Sequence, residues 1–178
     1  MLAAIESFLE GRRDTVDANR VLTTVVTASL QPSTDASDER AAFEAHVRKQ
    51  VEWYRGRVLS IESDLVQAAF GGPARAIRYA VALAAAGPRF GRPMKAGLHT
   101  GECDVVGSRM RGPALDLSAR LSQMAIAGEV LVSRTVRDLV AGSGLAFESR
   151  GAGLLGDDGQ HWDVFAARVP VNEVVSAG

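Results

Sequence analysis

Apolar and polar positions along this chain change period several times, and each change marks an element. Leu2, Ile5, Phe8 and Leu9 outline a short helical face that Gly11 ends, and Arg12 to Asn19 follows as a polar linker. Val21 to Leu30 is a β-branched run and predicts a buried strand. Gln31-Pro32-Ser33-Thr34 breaks it, and Ser33, Thr34 or Asp35 is suited to cap the next helix. Phe43, Val47, Val51 and Tyr54 give that helix one apolar stripe, with Gly56 as its stop.

Arg57 to Glu62 and Leu65 to Phe70 predict a hairpin about a tight turn at Ser63-Asp64. Gly71-Gly72-Pro73 opens a helix, with Pro73 at its first position and Ala74, Ile77, Val81 and Ala84 inward, and Gly87-Pro88 stops it. Met94 to His99 and Cys103 to Val106 read as a second hairpin. Gly112 to Ala125 reads as a helix with Leu117, Leu121 and Met124 inward. Glu129 to Val132 is a short strand, and Ser133 caps a helix containing Val136, Leu139 and Val140. Leu145 to Glu148 and Trp162 to Ala166 are final strands around a glycine-rich loop, and the tail after Val169 is frayed.

Helices interleaved with hairpins favour an α+β layer, with helices over a mostly antiparallel sheet, and not a doubly wound parallel sheet. The expected organisation is residues 1–20 as a helix and linker from an upstream junction, 21–168 as one domain, and 169–178 as a tail. A first helix packed on the main domain is the other reading of residues 1–20.

Composition narrows the function classes. The 178 residues are the size of one domain, with 47% hydrophobic and 23% charged residues. Twenty basic residues against 21 acidic ones leave a net charge of -1, which argues against a nucleic-acid binder and against a polybasic membrane-surface protein. Lys49 and Lys95 are the only lysines. The single cysteine, Cys103, excludes an intramolecular disulfide and a cysteine-rich zinc site, and a cytoplasmic location is the natural expectation. No apolar run approaches the length needed to span a bilayer, and Glu6 and Glu10 interrupt any signal-peptide core.

Several motifs fail on context. Gly151 to Gly156 matches G-x-G-x-x-G, but Asp157-Asp158-Gly159 follows where a helix N-terminus would have to receive a pyrophosphate, so the stretch is expected to be a loop. No P-loop lysine follows a glycine run, and His46, His99 and His161 are scattered.

A longer constellation does match. Its parts are Arg55-Gly56-Arg57, Phe70-Gly71-Gly72-Pro73-Ala74-Arg75-Ala76-Ile77, and Ala96-Gly97-Leu98-His99-Thr100-Gly101-Glu102. Gly112 with Leu117-Ser118-Ala119-Arg120-Leu121 comes next, then Gly128-Glu129-Val130-Leu131-Val132-Ser133 with Thr135-Val136-Arg137-Asp138-Leu139-Val140. In this order the chain from Val21 to about Ala167 resembles the class III nucleotide cyclase catalytic domain (adenylate/guanylate cyclase). It is most similar to bacterial cyclase domains carried on larger proteins, and Ile5 to Gly11 is similar to a junction with an α/β-hydrolase module.

The resemblance implies a ferredoxin-like βαββαβ core. It also implies a reaction in which the ribose 3′-hydroxyl of ATP or GTP attacks the α-phosphate and pyrophosphate leaves. Mg2+ or Mn2+ would be needed, held by hard oxygen ligands, at sites between the subunits of a head-to-tail homodimer. Carried over by position, the first metal aspartate falls at Ala28 and the second is kept as Asp64. The base-selecting lysine falls at Ser60 and the acidic base-selecting position at Arg109. The asparagine that orients the ribose falls at Asp116, and the transition-state arginine is kept as Arg120.

A methyl group cannot ligate magnesium. Asp116 sets an anion beside a polyanionic substrate, and its spacing of four from Arg120 on a helix allows an intrahelical pair. Glu62, two residues before Asp64, is a minor candidate to replace the missing carboxylate, on the premise of a shared strand face. Asp64 also has a plain role as a turn former, and Arg120 as no more than Asp116's partner. The expectation is a cyclase-family domain that no longer cyclises and serves as a regulatory or dimerising module, with no cofactor. An active atypical nucleotide cyclase and a nucleotide-binding sensor without turnover are the alternatives.

Overall fold

The computed structural model describes residues 19–31, 37–154, 159 and 161–169. The Leu2–Leu9 face, the caps proposed at Ser33, Thr34 and Asp35, and the tail from residue 170 lie outside them.

β1 (Asn19–Leu30) leads to α1 (Ser37–Trp53), the hairpin of β2 (Gly56–Ile61) and β3 (Leu65–Phe70), and α2 (Pro73–Ala86). A 3-10 turn over Gly87–Phe90 precedes β4 (Met94–Val106) and β5 (Arg109–Arg111). α3 (Pro113–Met124), β6 (Val130–Ser133), α4 (Arg134–Leu139), β7 (Ala146–Leu154) and β8 (His161–Arg168) complete the order. The strands form one eight-stranded sheet in the order β2-β3-β1-β4-β6-β8-β7, with β5 paired to β4. Every pairing is antiparallel except β4 with β6. The β2-β3-β1-β4 order is that of the expected βαββαβ core.

β1 divides the molecule because successive side chains point to opposite faces. Val26, Ala28 and Leu30 face a core built with Phe43, Val47 and Val51 of α1 and with Ile77, Tyr79, Ala80 and Leu83 of α2. Val25 faces the other side with Cys103 and Ala114. There α3 lies on the sheet, and Leu121 joins Leu131, Val164 and Ala166. Among the described residues no helix is long and apolar enough to cross a membrane.

Four local expectations change. The stop of α1 is Arg55, at φ 56°, and not Gly56, which begins β2. Met94 to Val106 is one strand of 13 residues and not a hairpin. Thr100, Gly101 and Glu102 keep their pairing with Thr24, Thr23 and Leu22, and the reversal comes at Gly107, φ 61°. Met124 is 44% exposed; Ser118 and Ser122 are the fully buried positions beside Leu121 on α3. Gly151 to Leu154 belongs to β7, past an irregularity between Ser149 and Ala152, so the first part of the glycine motif is strand and not loop.

Candidate functional site: a hairpin turn and a hydroxyl-lined sheet face

The ends of β1 and the β2–β3 hairpin meet through their backbones. The Leu30 N–H donates to the Asp64 carbonyl at 2.9 Å, and the Glu62 N–H donates to the Leu65 carbonyl at 2.7 Å to close the turn. Ala28 pairs with Val66 across the same ladder. Positions 28 and 64 are thus close in the fold.

Their side chains part company. Asp64 is exposed on the turn, whereas Ala28 is 1% exposed within the core that faces α1 and α2. β2 ends at Ile61, so Glu62 and Asp64 both sit in the turn, and the shared strand face that would make Glu62 a substitute is absent. Among the described residues no group of three His, Cys, Asp or Glu side chains could hold a metal ion. The residues present do not fit a two-carboxylate magnesium or manganese site.

Ser60 reaches the opposite face of the sheet through a bulge. The register of β2 against β3 shifts between Val58 and Ser60, which leaves Leu59 unpaired and sets Ser60 against Gln67. Ser60 Oγ donates to Gln67 Oε1 at 3.4 Å, and Gln67 Nε2 donates to Thr27 Oγ1 at 3.2 Å. Thr27 Oγ1 lies 2.7 Å from Ser118 Oγ, and Ser118 Oγ donates to the Leu115 carbonyl at 2.8 Å.

Proton count gives this chain a direction. A serine hydroxyl has one proton. Ser118 spends it on Leu115, so Ser118 accepts from Thr27. Every donor then points the same way, from β2 across β3 and β1 into α3, an arrangement in which successive bonds polarise one another.

A second pair repeats the contact one turn on. Ser29 Oγ and Ser122 Oγ are 2.7 Å apart. Gly97 lets α3 come this close: a Cβ there would lie 2.2 Å from Ser122 N and 2.3 Å from the Ser118 carbonyl oxygen.

The remaining site positions lie along α3 and β5. Asp116 is exposed and Arg120 half-buried, one turn apart on α3, and Arg109 is exposed on β5 beside the Gly107 reversal. Cys103 lies beneath the start of α3. Burial first, and the Asp104 carboxylate second, raise its thiol above the ordinary value, and Asp116 adds to this. His99, 6% exposed, shares a 2.8 Å hydrogen bond between Nδ1 and Ser133 Oγ and stands edge-on to Trp162 at 5.7 Å. Burial lowers its pKa to about 4.

Glu129 fixes the far end of α3. Its carboxylate accepts from the Ile126 N–H at 3.1 Å and from Arg150 Nε at 2.7 Å.

Sequence reasoning missed Gln67, Thr27 and Ser118. One polar residue in the run Leu65 to Phe70, and two serines four apart beside Leu117 and Leu121, were the available signals.

This architecture is the fold of the class III adenylyl and guanylyl cyclase catalytic domains. The adenylyl cyclase CyaB from P. aeruginosa is similar at 17% identity and a TM-score of 0.71, over 86% of this chain and 97% of that one. The guanylate cyclase domain of RhGC from Catenaria anguillulae, solved in complex with GTP, has 12% identity and a TM-score of 0.74, over 85% and 99%. A non-canonical dimeric guanylyl cyclase domain of the RhoGC fusion protein from Blastocladiella emersonii has 12% identity and a TM-score of 0.70, over 84% and 97%. No protein-family model and no curated protein matches the chain.

Proposed function

We propose that this chain is a cyclase-family domain that has lost cyclisation and acts as a regulatory, dimerising module in cyclic-nucleotide signalling. The observation that carries the reading is Ala28, a methyl group buried in the core where the resemblance calls for a metal-binding carboxylate. Asp64 alone cannot replace a pair, because magnesium binds through few protein ligands and loses much with each. The hydroxyl chain adds to this. Ser60, where a base-selecting lysine is expected, spends its proton inside the protein on Gln67. Arg109 carries a positive charge at a position where the family has an acid. Asp116 stands one turn before Arg120 on α3, where an intrahelical pair would offset the arginine kept from the family's set.

On this reading the module pairs head to tail with a second copy, sits behind an upstream fused module, and works in the cytoplasm. The guanylyl cyclase domain of the RhoGC protein, solved as a non-canonical dimer, supports dimerisation as a capacity of the fold and is neutral on the head-to-tail arrangement. Incubation with ATP or GTP and Mg2+ or Mn2+ tests the central point; no cyclic nucleotide is expected.

A second reading, a nucleotide-binding sensor without turnover, draws on the exposed Asp64 and on a fold that holds GTP in the Catenaria domain. A rise in thermal stability with millimolar nucleotide supports it, since a ligand that binds only the folded state stabilises that state. An active atypical cyclase is the third reading, and it requires product formation that depends on Asp64.

A further inference from the structure

Arg92 is 7% exposed, yet among the described residues no carboxylate pairs with it. A buried charge without compensation is costly, so its partners are informative. One is neutral and dipolar: Arg92 Nη2 donates to the Ser63 carbonyl. Another is the ring of Phe43, with the guanidinium carbon 5.3 Å from its centroid. Among the described residues the buried Arg92 Nε has no hydrogen-bond partner. The backbone holds the residue in place, since the Arg92 N–H donates to the Gly87 carbonyl at 3.0 Å and the Gln31 N–H donates to the Pro93 carbonyl at 3.1 Å.

These contacts put a fixed positive charge behind the one turn that carries Glu62 and Asp64. Among the described residues only dipoles and a π face hold the guanidinium, so its positive field extends over the turn on either side of Ser63. A divalent cation would meet that field on approach. Its other service, bracing the turn against the end of β1, is already provided through Ser63.

We propose that Arg92 is a built-in cation for the β2–β3 turn: it positions the segment that presents Asp64 and makes that segment refuse divalent metal. The inference rests on the reading of the chain as a domain that does not cyclise, and it names what stands in for the lost metal.

The test uses the full chain, Mn2+ alone as the probe, and amide NMR signals. In the native chain 1 mM Mn2+, a concentration on the order of ordinary weak-site affinities, is expected to leave the amides of Glu62 to Leu65 unbroadened. Arg92→Met removes the charge and keeps the bulk. It is expected to speed hydrogen exchange at these amides by about tenfold, as loss of one hydrogen bond allows, and to let Mn2+ broaden them. Arg92→Lys keeps the charge without the planar fork, so it is expected to stay silent to Mn2+ while exchange rises. Broadening of the turn in the native chain overturns the proposal, as does equal silence in a folded Arg92→Met. If Arg92→Met does not fold, native and Arg92→Lys decide: broadening in either overturns the proposal, and silence in both supports it. The same samples, given ATP and assayed for product, keep the two claims apart. Product formation defeats the non-cyclising reading, whereas Mn2+ at the turn without product defeats the Arg92 inference alone.

Discussion

Thr27 Oγ1 and Ser118 Oγ lie 2.7 Å apart and join the central strand to the helix that covers it. Both residues are fully buried. The bond is the middle link of a one-way chain that starts at Ser60 and ends on the Leu115 carbonyl, so removing Thr27's hydroxyl strands groups on both sides. Thr27→Val keeps the shape, leaves Gln67 Nε2 without its acceptor, and takes the donor from Ser118. A loss of about 2 kcal/mol is expected by urea unfolding. A change under a few tenths would mean that the chain adds nothing to stability.

Gly97 sets the distance at which that chain can form. Its missing Cβ would collide with backbone atoms of α3, which no rotamer change relieves. Gly97→Ala is expected to cost about 3 kcal/mol and to shift the α3 amide signals as the helix lifts. A variant with native stability and unshifted α3 signals would show that the helix yields freely.

Arg55 holds a left-handed conformation, φ 56°, at the end of α1, while its N–H bonds the Glu52 carbonyl at 2.9 Å. That conformation strains a side chain with a Cβ, and glycine adopts it freely at some cost in unfolded-state entropy. Arg55→Gly is expected to raise stability by about 0.5 kcal/mol, read from the denaturation midpoint at constant m-value. Destabilisation would mean that the arginine side chain has a partner of its own.

His99 makes stability depend on pH. Its folded pKa, about 4, lies below the ordinary 6.5 because burial disfavours the charged ring. Between these values the unfolded chain binds more protons, so stability falls as pH drops from about 6.5 to about 4, by up to about 3 kcal/mol. His99→Gln is expected to flatten the unfolding free energy across that window. An unchanged slope would place the proton uptake elsewhere.

The readable parts of the fold are those where one face is apolar and the other is not. The stripe Phe43, Val47, Val51 is buried as its spacing of four predicts, Pro73 opens α2, and Ser133 Oγ accepts from the Val136 N–H as a cap. The misreadings share a physical cause, which is that a long-range partner outweighed local signals. Thr100-Gly101-Glu102 looks like a turn until β1 supplies a partner for every residue. Ser118 and Ser122 look like the wet side of a helix until Thr27 and Ser29 offer hydroxyls across the gap. Of the candidate site, the meeting of positions 28 and 64 follows from strand order. The bulge that turns Ser60 toward Gln67, and the arginine behind Ser63, have no signature in spacing.

The loss of cyclisation is tested most directly by product formation. The full chain, at micromolar concentration with millimolar ATP or GTP and Mn2+, is assayed for cyclic nucleotide over hours beside an Asp64→Ala control. The account predicts no product above that control. Cyclic AMP or cyclic GMP that forms in the native chain and disappears in Asp64→Ala would contradict it.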